Sequence, residues 1–125
     1  MSLEENKTVF RRWIDGLNSG NFVVIDRLVD ELFTDDYTYR FMAQPPEVRS
    51  HEFMKNMLRN ALKNAPDTHF IIDDMIAEGD RLVVRMTTSR TNRSTGKLER
   101  NLLIEFRRLA DGKFAETWGY LATAD

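Results

Sequence analysis

A chain of 125 residues is the size of one domain, and 42% apolar with 30% charged residues describes a globular protein rather than a disordered one. Eighteen basic against twenty acidic residues leave a formal charge of −2 with no long block of either sign, so no nucleic-acid partner is expected. The absence of cysteine excludes disulfides and thiolate chemistry, and no apolar run reaches the roughly 20 residues needed to span a membrane.

The opening Met1-Ser2-Leu3-Glu4-Glu5 is acidic and lacks the basic and apolar regions of a signal peptide, so a cytoplasmic location without a membrane partner is expected. Ser2 and Glu5 have capping-box spacing. Val9, Phe10, Trp13, Ile14 and Leu17 follow at helical spacing and predict an amphipathic first helix. Gly20 suits its left-handed C-terminus, and Asn21 caps a second helix with the apolar stripe Ile25, Leu28, Val29, Leu32 and Phe33. Thr34-Asp35-Asp36 breaks that pattern, and Tyr37, Tyr39 and Phe41 alternate with Thr38 and Arg40 as a short strand ended by Gln44-Pro45-Pro46. Ser50 caps a third helix with Phe53, Met54, Met57, Leu58, Ala61 and Leu62 on one face, ending at Ala65-Pro66-Asp67. The second half has the two-residue period of strands over 68–78, 81–92, 98–108 and 113–121, separated by Gly79-Asp80, Ser94-Thr95-Gly96-Lys97 and Asp111-Gly112. Helices followed by an antiparallel meander predict a single α+β domain over 1–125.

This order of elements, with Asn18-Ser19-Gly20-Asn21, Phe33-Thr34-Asp35-Asp36-Tyr37, the run Ala77 to Arg85 and the run Asp111 to Gly119, resembles the SnoaL-like branch of the nuclear transport factor 2-like superfamily over nearly the whole chain. The resemblance implies a cone in which a strongly curved, mostly antiparallel sheet wraps around three helices, leaves a pocket at its open end and dimerises through its outer face. It does not choose a function, because polyketide cyclases, ketosteroid isomerases, epoxide hydrolases, dehydratases and non-catalytic modules share that scaffold. Cyclases of this superfamily place an acid after the last-strand tryptophan, which here is Gly119, and a histidine that would fall at Ile104 or Glu105. A second histidine would fall near Arg40. The isomerase aspartate would fall at about Ile104, and the isomerase tyrosine has no clear counterpart. The implied acid/base set is therefore absent from its positions.

Glu105 is an isolated acid in an apolar run, the pattern of a buried general base. Alternation with Leu102, Ile104 and Phe106 facing the helices instead sends it outward to pair with Arg85, where Glu105→Gln would spare any turnover. Tyr37 and Tyr39 either polarise a carbonyl or pack as buried rings. His51 and His69 read as surface residues with no carboxylate at metal-ligand spacing beside either; His51 with Glu52 and the distant Asp73 or Asp74 could meet in space, but nothing local requires it, so no metal is expected. Met42, Met54, Met57, Met75 and Met86 suit either an adaptable cavity or ordinary core. In the last strand Ala115, Thr117 and Gly119 share a face opposite Phe114, Trp118 and Tyr120, and small inward residues leave space. The basic cluster Arg90, Arg93, Lys97 and Arg100 reads as a solvated hairpin tip.

The expected pocket is lined by Trp13, Tyr37, Tyr39, Phe41, Met54, Met86, Ile104, Thr117 and Gly119, with Arg90 or Arg100 near its mouth. It would take a small apolar molecule, cyclic or carbonyl-containing, without a cofactor. Two functions follow from this reading. One is cofactor-independent isomerisation, cyclisation or dehydration with no assignable base; the other is a non-catalytic ligand-binding or dimerisation module that has lost the acid/base residues. Trp118, Tyr120 and Leu103 on the outer sheet face predict a homodimer.

Overall fold

The computed structural model describes residues 2–123; Met1 of the acidic opening lies outside them. In α1 (Leu3–Ser19) the Ser2 hydroxyl accepts from the Glu5 N–H while the Glu5 carboxylate accepts from the Ser2 N–H, completing the capping box. Its buried stripe is the expected one, joined by Asn6. Gly20 ends the helix at φ 65°, and the Asn21 side chain accepts from the Val23 and Val24 N–H groups to start α2 (Phe22–Leu32). The two helices approach closely at Gly16, where a Cβ would collide with Leu28 Cδ1.

Phe33 belongs to strand β1 (Phe33–Phe41) and not to the end of α2, so helix passes into strand without a loop. Pairing is irregular between Phe33 and Thr38, and this bulge absorbs Thr34-Asp35-Asp36, residues that gain little in either a helix or a regular strand. Then follow β2 (Glu47–Val48), α3 (His51–Asn64), β3 (His69–Glu78), β4 (Arg81–Thr91), β5 (Leu98–Ala110) and β6 (Lys113–Thr123). One open sheet runs in the order β2-β1-β6-β5-β4-β3; all its pairs are antiparallel except β1 with β6.

The core fills the space between α1, α2 and the inner sheet face. Phe33 packs against both Trp13 and Phe114, and Phe10 meets Phe114 edge-on. Burying each such ring contributes about 1.5–3 kcal/mol. Asn18 ties α1 to β3 by donating to the Phe70 carbonyl and accepting from the Phe70 N–H, both at 2.8 Å. Helix α3 is less buried than its pattern implies, since Phe53 and Ala61 are exposed. Its first turn is anchored instead by His51, whose Nδ1 meets Asp30 at 3.1 Å and whose Nε2 meets the Phe33 carbonyl at 2.9 Å. His51 is thus a half-buried strut and not a free surface residue; Asp73 is engaged elsewhere, accepting from the Thr87 hydroxyl.

Two strand phases differ from expectation. In β5 the inward residues are Leu103, Glu105, Arg107 and Leu109, leaving Leu102, Ile104 and Phe106 on the outer face; Arg85 pairs in register with Ile104. In β6 a register shift opposite Arg108 and Leu109 puts Phe114 in the core, after which Thr117 and Gly119 face inward and Trp118 and Tyr120 outward. Leu103 therefore leaves the expected outer patch and Phe106 joins it.

Candidate functional site

The inner sheet face, α1 and α3 enclose a chamber of about 420 Å³. Trp13, Tyr37, Tyr39, Phe41 and Met54 line it, as the sequence predicts, together with Phe33, Met57, Phe70, Arg49, Glu105 and Arg107. Met86 lies in the core behind the wall, and Ile104 is on the opposite side of the sheet. Arg90 borders a separate cavity of about 230 Å³ and approaches Glu99 at 3.9 Å. Arg93 donates to the Lys63 carbonyl, so the basic hairpin is partly tied down to α3. Among the methionines, Met54 and Met57 line the chamber, while Met42 sits exposed in a turn at φ 55°.

Thr117 and Gly119 border the site without lining the cavity. Thr117 accepts a 2.6 Å hydrogen bond from the Tyr37 hydroxyl, and a Cβ on Gly119 would lie 2.5 Å from Tyr39 Oη and 3.3 Å from its Cζ. The room left by glycine is therefore occupied by Tyr39, not held open for a ligand. Gly119→Ala is expected to push the Tyr39 ring aside at a cost of about 1–3 kcal/mol, seen as a lower melting temperature. Tyr39→Phe, which removes the colliding atom, should recover most of that loss when combined with it; equal melting of Gly119→Ala and the unaltered protein would refute the interlock.

The polar heart of the chamber is Glu105 with Arg107, two residues apart on one strand and so on one face. They are 5% and 6% exposed. Arg107 donates from Nε to Glu105 Oε1 at 3.0 Å, its Nη2 lies 2.9 Å from the same oxygen as an ion pair, and its guanidinium carbon lies 4.5 Å from the Phe114 ring centroid. Oε2 accepts from no described residue, and Arg107 Nη1 is buried without a partner. Burial pulls the guanidinium toward neutrality, but the Glu105 charge and the neighbouring phenols outweigh it and raise its pKa, so Arg107 stays charged. Glu105 pairs in register with Gly119, so a carboxylate stands directly across from the position where the family resemblance places an acid. The outward placement of Glu105 and its pairing with Arg85 do not occur.

Burial, reinforced by the Glu105 charge, pushes the Tyr39 phenol up to about 12, and burial likewise raises Tyr37. Both stay protonated at neutral pH. Tyr37 spends its proton on Thr117 and packs edge-on against Phe33, while the Tyr39 hydroxyl donates to no described residue. No cluster of three or more His, Asp or Glu side chains able to hold a metal occurs among the described residues, and no described helix is long and apolar enough to cross a membrane.

The SnoaL-like domain model matches residues 10–117. The chain belongs to the SnoaL-like family. Solved structures similar to this SnoaL-like chain include AclR, a putative hydroxylase from Streptomyces galilaeus, at 22% identity and TM-score 0.79, covering 97% of this chain and 91% of that one. A putative SnoaL-like polyketide cyclase from Jannaschia matches at 15% identity and TM-score 0.81, covering 94% and 85%. An epoxide hydrolase from M. tuberculosis resembling LEH matches at 13% identity and TM-score 0.77, covering 96% and 84%. At these identities the likeness carries the fold alone. No curated protein sequence matches the chain.

Proposed function

We propose that this SnoaL-like domain catalyses cofactor-independent proton transfer on a small cyclic or carbonyl-containing molecule, as in isomerisation or cyclisation. The observation that carries the reading is a buried carboxylate facing a chamber walled mainly by aromatic and aliphatic side chains, with one oxygen committed to Arg107 and the other uncommitted, beside a protonated phenol. Glu105 Oε2 takes a proton from the carbon next to a carbonyl, while the Tyr39 hydroxyl donates a hydrogen bond to the oxygen where charge develops. Returning the proton to a different carbon isomerises the molecule; attack of the enolate carbon on a second carbonyl closes a ring, and the proton held by Glu105 passes to the alkoxide that this forms. Arg107 fixes the base in place through its contacts with Oε1. The test is exchange of the α-protons of tetralone and cyclohexenone in deuterated buffer, followed by NMR. Exchange above the buffer rate is expected; a ketone that stabilises the protein without exchanging would assign the chamber to a non-catalytic binding module.

We also propose a homodimer through the outer sheet face. Its support is the cluster of Ile104, Phe106, Trp118 and Tyr120, with Phe106 48% and Tyr120 43% exposed around a groove of about 270 Å³. Sedimentation at micromolar concentration should give twice the chain mass and fall to the monomer mass in Phe106→Glu; a monomer in the unaltered protein would end the idea.

A further inference from the structure

Two cavities meet at one guanidinium. Behind it lies the chamber; in front of it a cleft of about 480 Å³ is bordered by Gln44, Pro45, Pro46 and Glu47, and Tyr39, Phe41 and Arg49 line both. The position of Arg49 follows from the fold. Its N–H donates to the Tyr37 carbonyl at 2.8 Å, next to the short β1–β2 pairing, and its guanidinium carbon lies 4.1 Å from the centre of the Tyr39 ring and 5.5 Å from that of Phe53.

The hydrogen-bonding capacity of Arg49 is left partly unused. Nε donates to Glu47 at 2.8 Å, Nη1 faces the Met57 sulfur at 3.5 Å, and Nη2 donates to no described residue. A thioether is a weak acceptor, so the Nη1–Nη2 edge remains available to a stronger one. Met57 lines the chamber, which puts that edge on the chamber side. The charges of Glu105 and Arg107 offset each other, leaving Arg49 as the cation of the mouth, balanced only by the half-exposed Glu47. A wholly apolar ligand entering past Arg49 would strip water from this edge and leave it unpaired. A carboxylate would take both N–H donors in the planar arrangement that guanidinium favours.

We propose that Arg49 is the recognition residue for an anionic group, and that the ligand is a ring-bearing monocarboxylate with its ring in the chamber and its carboxylate at the boundary with the outer cleft. This rests on the reading that the chamber takes a small cyclic molecule, but not on proton transfer. Naphthylacetate and its methyl ester form a matched probe pair, titrated into the full chain and followed by NMR. The acid should bind the unaltered protein roughly tenfold or more tighter than the ester. In Arg49→Gln acid binding should fall to the level of the ester while ester binding holds, and Arg49→Lys, which keeps charge without the fork, should retain part of the preference; the same spectra verify folding. Equal binding of acid and ester to the unaltered protein, survival of the preference in Arg49→Gln, or no binding of either probe would overturn the assignment. Acid preference without exchange of tetralone protons would support it while removing only the catalytic reading.

Discussion

Glu105→Gln is expected to slow α-proton exchange by roughly 10²–10⁴-fold while the protein stays folded and still binds its ketone. The amide has the shape of the carboxylate, and its oxygen can still accept from Arg107 Nε, with Nη2 close by. What it lacks is basicity at Oε2. Because abstraction is demanded only in the transition state, kcat and kcat/KM should fall together while ketone affinity stays within a few-fold. Glu105→Asp, a carboxylate drawn back by one methylene, should retain part of the rate. Exchange within a few-fold of the unaltered protein in Glu105→Gln would remove Glu105 as the base, whatever else the chamber binds.

Replacing Arg107 by leucine is expected to lower the unfolding free energy by about 3–5 kcal/mol, a large part of the roughly 5–15 kcal/mol typical of a domain. The change leaves the 5%-exposed Glu105 carboxylate without the guanidinium that compensates its burial, and removes the cation that lies over the Phe10 and Phe114 rings. If the loss arises from the stranded charge, the double variant Glu105→Leu, Arg107→Leu should regain most of the stability in urea denaturation, since removing both partners of a buried pair is often neutral. It should not regain exchange activity. A double variant no more stable than Arg107→Leu would instead place the cost in lost packing over the two rings. Arg107 Nη1, buried and without a partner among the described residues, adds an unmet donor to the cost of burying the pair.

The helices were legible because their ends carry local signals: Ser2 with Glu5, Gly20, Asn21 and Ser50 each act through hydrogen bonds or a backbone angle within a few residues. The meander was legible from its turns. The inner face of β5 was not, since Leu102, Ile104, Phe106 reads as the more apolar of its two alternating sets, yet that set faces outward around Trp118 and Tyr120. An outer face rich in aromatics inverts the usual inference from hydrophobicity to burial. One local signal favoured the true phase: Glu105 and Arg107 are opposite charges two apart on a strand, able to neutralise each other if turned inward together. In β6 the bulge displaced Phe114 from the face shared by Trp118 and Tyr120, and nothing within the strand marks that extra residue. Arg49 escaped notice because its role depends on Tyr39, Phe53 and Met57, which come together only in the folded chain.

The parallel pairing of β1 with β6 also bears on how the molecule is made. Apart from the two-residue β2, β1 has β6 as its sole strand neighbour, so Tyr37 and Tyr39 must wait for a segment that leaves the ribosome after every other strand. The hairpins of β3, β4 and β5 need only nearby chain, whereas seating β6 between β5 and β1 closes a loop spanning most of the sequence. Helices α1 and α2 can form during synthesis, yet the wall that carries the phenols takes its place only once β6 has emerged. A nascent chain stalled before residue 113 would lack the strand that brings Tyr39 into the sheet beside Glu105, and so would carry an acid without its neighbouring phenol.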